Sequence, residues 1–144
     1  APSGVARMNI SVKSDYALHA ILDLALQPAG EIVKFADIAK RQGIPQKFLE
    51  LILASLKQGG FVESRRGADG GYRLAKAANE ITVGDVLRHA GETKKSRKGP
   101  AGPFTAMWKT IDESVSAVLD HTSFADLAKQ WKESQSRYVP NWDI

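Results

Sequence analysis

Apolar residues recur along this chain in a helical rhythm that is broken once by an extended, glycine-rich stretch. Leu18, Ile21, Leu22 and Ala25 follow the i, i+3, i+4, i+7 spacing of one helix face and predict a helix from Ser14 to Leu26. Ser14 is the expected N-cap, Asp15 suits the positive end of the dipole, and Pro28 with Gly30 ends the element. Ile32 and Val33 read as a small strand. Phe35 to Gln42 is a short helix with Phe35, Ile38 and Ala39 inward, Lys40 and Arg41 outward, and Gly43 closing it. Pro45 opens the next helix, at the first helical position, where its missing N–H costs nothing. Leu49, Ile52, Leu53 and Leu56 form the apolar stripe of that helix, Phe48 lies at its edge, and Gln46, Lys47 and Glu50 fall on the other side.

At Gly59-Gly60 the rhythm changes. Phe61 to Ser64 and Tyr72 to Ala75 read as two short strands around the basic tip Arg65-Arg66-Gly67-Ala68-Asp69-Gly70-Gly71. Gly70-Gly71 is expected to supply the positive φ of the hairpin tip. Two helices joined by a tight turn make a helix-turn-helix, and a cationic hairpin behind the second helix makes a wing. Helical spacing then returns. Thr82-Val83-Gly84-Asp85 resembles a capping box with Asp in place of Glu, and it starts a helix through Val83, Val86, Leu87 and Ala90 that Gly91 stops. Residues 92–103 are polar, basic and rich in Gly and Pro, with Lys94, Lys95, Arg97 and Lys98, and read as a solvated loop. Phe104, Trp108, Ile111, Val115 and Val118 repeat at heptad spacing and predict a helix that buries its seam against a second subunit. Ser123-x-x-Asp126 caps a last helix with Phe124, Leu127, Ala128 and Trp131 on one face, and Tyr138, Val139 and Trp142 suggest a docked tail.

The expected fold is therefore mainly α with a small β-wing (α+β). A winged helix-turn-helix head occupies 8–91, a basic loop 92–103, and the dimerisation helix with a C-terminal helix packing back on the head 104–144. Composition narrows the function. The net charge of +4 and pI of about 9.4 favour a polyanionic partner only weakly. There is no cysteine among the 144 residues, which removes disulfides and thiolate-held metals or clusters. No apolar run approaches the ~18 residues of a membrane span, and Ala1 to Arg7 has no signal-peptide core. Met8 is the expected natural start and the cytoplasm the expected location. No nucleophile–base pair or clustered acids suggest an enzyme, since Asp112 and Glu113 splay to different helix faces. His19, His89 and His121 read as structural, with His19 packed, and Trp108 and Trp131 as core or interface residues. Gly67 and Gly70-Gly71 lie between strands rather than before a helix, which argues against a phosphate loop.

The ordered set of segments resembles the Rrf-type regulators, bacterial winged-helix transcription factors. It consists of SDYALHAILDLA (14–25), FADIAKRQGIPQKFLELILASLKQGGFVES (35–64), RGADGGYRLA (66–75), TVGDVLRHAGE (82–92) and TSFADLA (122–128). The resemblance implies a homodimer on a palindromic operator, with a long dimerisation helix after the wing. Lys13, Ser14 and Tyr16 would meet phosphate, and Gln46, Lys47 and Glu50 would face the major groove, where Glu can accept from cytosine and Gln can pair with adenine. Arg65, Gly67 and Gly70 belong to the same wing, whose Arg66 resembles the family's minor-groove arginine. Family members often hold an iron–sulfur cluster on three cysteines in the loop before the dimerisation helix, with a further ligand from the first helix. The matching loop here has no cysteine. Asp15 and His19 resemble the first-helix ligand positions but cannot anchor a cluster alone. No cofactor is expected, and the effector, small molecule or protein, is left open. Lys34 and Pro45 also stand where serine-like helix caps are usual. The rival reading is a winged helix used only for protein contact, or a regulator controlled by a partner protein.

Overall fold

The computed structural model describes residues 10–92 and 100–137. The expected start at Met8 with the residues before it, the Lys94–Lys98 run and the expected docked tail at Tyr138, Val139 and Trp142 lie outside them. The described elements are α1 (Val12–Leu26), α2 (Phe35–Gln42), α3 (Gln46–Gln58), β1 (Val62–Arg65), β2 (Gly71–Leu74), a short 3-10 turn (Ala78–Glu80), α4 (Val83–His89), α5 (Thr105–His121) and α6 (Phe124–Arg137). β1 and β2 pair antiparallel in the register Val62↔Leu74 to Arg65↔Gly71, giving an α+β winged-helix head. The link at Val33 adds one bridge, exchanging backbone hydrogen bonds with Tyr72 at 2.7 and 2.8 Å.

The apolar stripes close on one another as their spacing requires. Ala17, Ala20, Ile21 and Leu24 of α1, Ile38 of α2, and Leu49, Ile52, Leu53 and Leu56 of α3 share one core with Phe61, Val62, Ile81 and Val86. Phe124, at the start of α6, is buried in the same core. Two backbone hydrogen bonds fasten α6 there: Val83 N–H to Thr122 O, and Phe124 N–H to Ile81 O, both at 2.9 Å. The head thus draws on residues far beyond Gly91. The capping box of α4 forms as its spacing indicates, with Thr82 and Asp85 exchanging two hydrogen bonds of 3.1 Å.

Several local expectations are corrected. Ser11, not Ser14, caps α1: its Oγ accepts from Ser14 N–H at 3.1 Å, so the helix starts three residues earlier. Pro45 is the N-cap of α3 rather than its first helical residue, with an extended ψ of 136° and its carbonyl accepting from Leu49 N–H. Of Gly70-Gly71, Gly71 has a positive φ (+158°) and Gly70 does not, and Gly67 supplies a second one (+104°) at the hairpin tip. Gly70 is required for space, because a Cβ there would collide with the Arg65 and Gly67 carbonyls. Trp131 is exposed, because α6 leaves the head after Ala128. His19 is also exposed, near Gln42 and Asp15 rather than in the core.

Candidate nucleic-acid interface

The turn between α2 and α3 is held from behind by a polar clamp that the sequence reading missed. Asp23, buried in the last turn of α1, accepts from Arg41 Nε and Nη2 and from Gln42 Nε2, each at 2.9 Å. A buried carboxylate so satisfied is tolerated, and it fixes the end of α2 against α1. The hydrogen bonds Arg41 donates to Asp23, opposed by some burial and aided by the carboxylate charge, hold its guanidinium above its ordinary pKa. Arg41 is exposed, as its spacing indicates, yet its guanidinium reaches back to α1. Nothing local marks Asp23 as its partner, which lies 18 residues away.

On the far side of α3, Gln46, Lys47 and Glu50 are all exposed, as is Phe48 beside them. Phe48 meets the half-buried Tyr16 ring of α1 edge-on, with centroids 6.0 Å apart. The wing is tied to α3 by Lys57, which donates to Ser64 Oγ at 2.7 Å, and stiffened across its strands by Arg73–Glu63 at 3.0 Å. Arg65 ends β1 and Arg66 begins the tip. Both are exposed, and neither forms an ion pair among the described residues. An unpaired arginine pair on a narrow hairpin is a cation source with its hydrogen-bond donors unspent.

The start of α1 differs from expectation. Lys13 is exposed, but Ser14 is buried and donates its hydroxyl proton to Glu92 Oε1 at 2.8 Å. The same oxygen accepts Ser11 N–H at 2.8 Å. The backbone hydrogen bond from Ser11, then the Ser11 and Ser14 hydroxyls, hold the Glu92 carboxyl below its ordinary value. An anion at this positive helix end is thus supplied from within the chain, and Ser14 is withdrawn from the phosphate-facing set. The Glu92 contact is 78 to 81 residues long in sequence and left no local signal.

The seam of α5 stands open. No residue of α5 is buried; Phe104 is 63% and Val118 65% exposed, Trp108 and Ile111 are also exposed, and Val115 is intermediate. Gly84 admits α5 close to α4, because a Cβ there would meet the Asp120 carboxylate. Arg88 then pairs with Asp120 at 2.7 Å and Asp85 at 3.4 Å. Burial pushes the Asp85 carboxyl up, but the hydrogen bonds from Thr82 and Arg88 outweigh it and the net shift is downward.

No group of three or more metal-ligating side chains occurs among the described residues, and no described helix is long and apolar enough to cross a membrane. A family model described as "Rrf2: Iron-dependent Transcriptional regulator" matches residues 10–130. The HTH-type transcriptional regulator IscR of Serratia proteamaculans is 36% identical over 129 residues, covering 83% of this chain and 79% of that one. The solved structure of T. potens IscR is 35% identical with a TM-score of 0.77, covering 92% and 94% of the two chains. CymR, the global cysteine regulator of B. subtilis, is 31% identical with a TM-score of 0.76, covering 85% and 98%. The family description names iron, yet a thiolate-held cluster does not fit these residues, since the chain has no cysteine and Asp15 with His19 offers two donors at most. With relatives that are regulators and not enzymes, the chain belongs to the Rrf2 family of DNA-binding transcription regulators.

Proposed function

We propose that the protein acts as a homodimer on a palindromic operator, without an iron–sulfur cluster. The observation that carries this is the pairing of two exposed surfaces: a hairpin whose Arg65 and Arg66 form no ion pair among the described residues, and an apolar seam on α5 of which no residue is buried by the described part of the chain. Lys13 and Tyr16 meet phosphate, Gln46, Lys47 and Glu50 face the major groove, and Arg66, carried by Arg65, Gly67 and Gly70, enters the minor groove. Phe104, Trp108, Ile111, Val115 and Val118 join the two subunits. Two recognition helices then meet the duplex one helical turn, ~34–36 Å, apart. Regulation comes from a small molecule or a partner protein.

Selection of bound sequences from a random duplex pool tests this. A palindromic consensus supports both the DNA reading and the symmetry. No enrichment would point to the protein-contact alternative. On the selected duplex, Arg66→Ala weakens binding in a gel-shift titration while the dimer stays intact. Affinity should fall log-linearly with salt, as phosphate contacts require.

A further inference from the structure

Leu51 is the most exposed large apolar side chain among the described residues, at 71%. It lies in the middle of α3, on the face opposite the buried Leu49, Ile52, Leu53 and Leu56. Lys47, Leu51, Ala54 and Gln58 are spaced i, i+4, i+7, i+11 and are all exposed, so they form one strip along the helix. A strip facing only water has no need of a leucine at its centre. Covering by the chain's own core is excluded by the side it occupies. The exposed charges around it on α3 and the wing are cationic on balance: Lys47 one turn before it, Lys57 further along the helix, and Arg65 and Arg66 on the attached hairpin outnumber Glu50 beside it and Glu63, which Arg73 pairs. That charge selects a polyanion rather than an apolar protein surface as the occupant.

We infer that Leu51 is a specificity-determining residue that reads the C5-methyl group of a thymine in the major groove. This rests on the DNA reading above. Leucine has no donor or acceptor, so it can distinguish bases only by apolar contact. Among the groups the four bases present in that groove, the thymine methyl is the apolar one. Lys47, one turn earlier on the same strip, can hold phosphate or a guanine edge while Leu51 covers the methyl. Phe48 leans towards Tyr16 and flanks the contact rather than making it.

The test uses the full chain and a duplex recovered by selection. Each thymine of one half-site is replaced in turn by deoxyuridine, which removes the methyl and leaves base pairing unchanged. Anisotropy titration should find one position where the replacement weakens wild-type binding about fourfold, the worth of one buried methyl group. Leu51→Ala should bind the thymine and uracil duplexes equally. Because the side chain is exposed, the variant should match wild type in melting temperature and oligomeric size. The inference is overturned if no thymine in the half-site matters, if Leu51→Ala keeps the same preference for thymine, or if light scattering shows that Leu51→Ala changes the oligomer. In each of those cases duplex binding itself survives. Loss of all salt-dependent duplex binding in the wild type would instead overturn the operator reading, and the role of Leu51 with it.

Discussion

α3 and α5 are both amphipathic helices with apolar residues at regular spacing, yet the chain treats them in opposite ways. α3 buries its whole stripe, with Leu49 and Leu53 fully enclosed. α5 is longer and buries nothing completely. Periodicity states that a face seeks cover; it does not say whether the cover comes from the same chain. The difference lies in what surrounds each helix. α3 is wedged between α1 and β1, whereas α5 touches the head mainly through α4 and ends at the anchored start of α6.

The largest effect that would sharpen this contrast is Leu53→Ala. It should cost about 2–5 kcal/mol, from lost burial and a residual cavity, in urea unfolding. The loss should be the same at every protein concentration, because the cover is intramolecular. Ile111→Asp should do the reverse. It leaves the fold of the head intact and raises the dissociation constant of the proposed dimer at least a hundredfold, about 2.8 kcal/mol, in sedimentation equilibrium. A variant that remained dimeric would break the comparison by placing the subunit contact elsewhere. Arg41→Ala asks whether a polar clamp matters to the α2–α3 unit as apolar burial does. Asp23 would keep only Gln42, and the expected cost is about 2 kcal/mol, reduced from a fully buried pair because Arg41 is itself partly exposed.

The smallest effect joins the two regions. Glu92 stands where the chain leaves the head for α5 and clasps the start of α1. Its folded pKa is depressed below the ordinary 4.5. Such a group contributes stability that is fully present above that value and is lost as pH falls through the folded value. Stability should therefore decline below about pH 4.5. Glu92→Gln should flatten part of that decline, leaving the share of Asp85, whose carboxyl is also depressed. Urea midpoints measured across that window check it, and an unchanged slope would detach Glu92 from the effect.

What the sequence made legible follows the range of each interaction. α2, the stripe of α3 and the Thr82–Asp85 box are set by residues a few positions apart, and their spacing reveals them. The Asp23–Arg41–Gln42 clamp and the Glu92 clasp depend on which helices meet in space, so no local pattern announces them. Ser14 shows the intermediate case. Two serines stand within three residues at the start of α1, and only the fold decides that Ser11 caps the helix while Ser14 turns inward to Glu92. The polar set Gln46, Lys47 and Glu50 on α3 was legible as an exposed face, but Leu51 was passed over, because an apolar residue there reads as noise until its exposure is known.

The stitching at residues 122–124 has a mechanical consequence. With Thr122 and Phe124 sewn to the segment before α4, and Asp120 locked to Arg88, α5 has no slack where it joins the head. Whatever grips this stalk steers the head as a lever steers its load, so in the proposed dimer the reach between heads is measured in helix, not in tether.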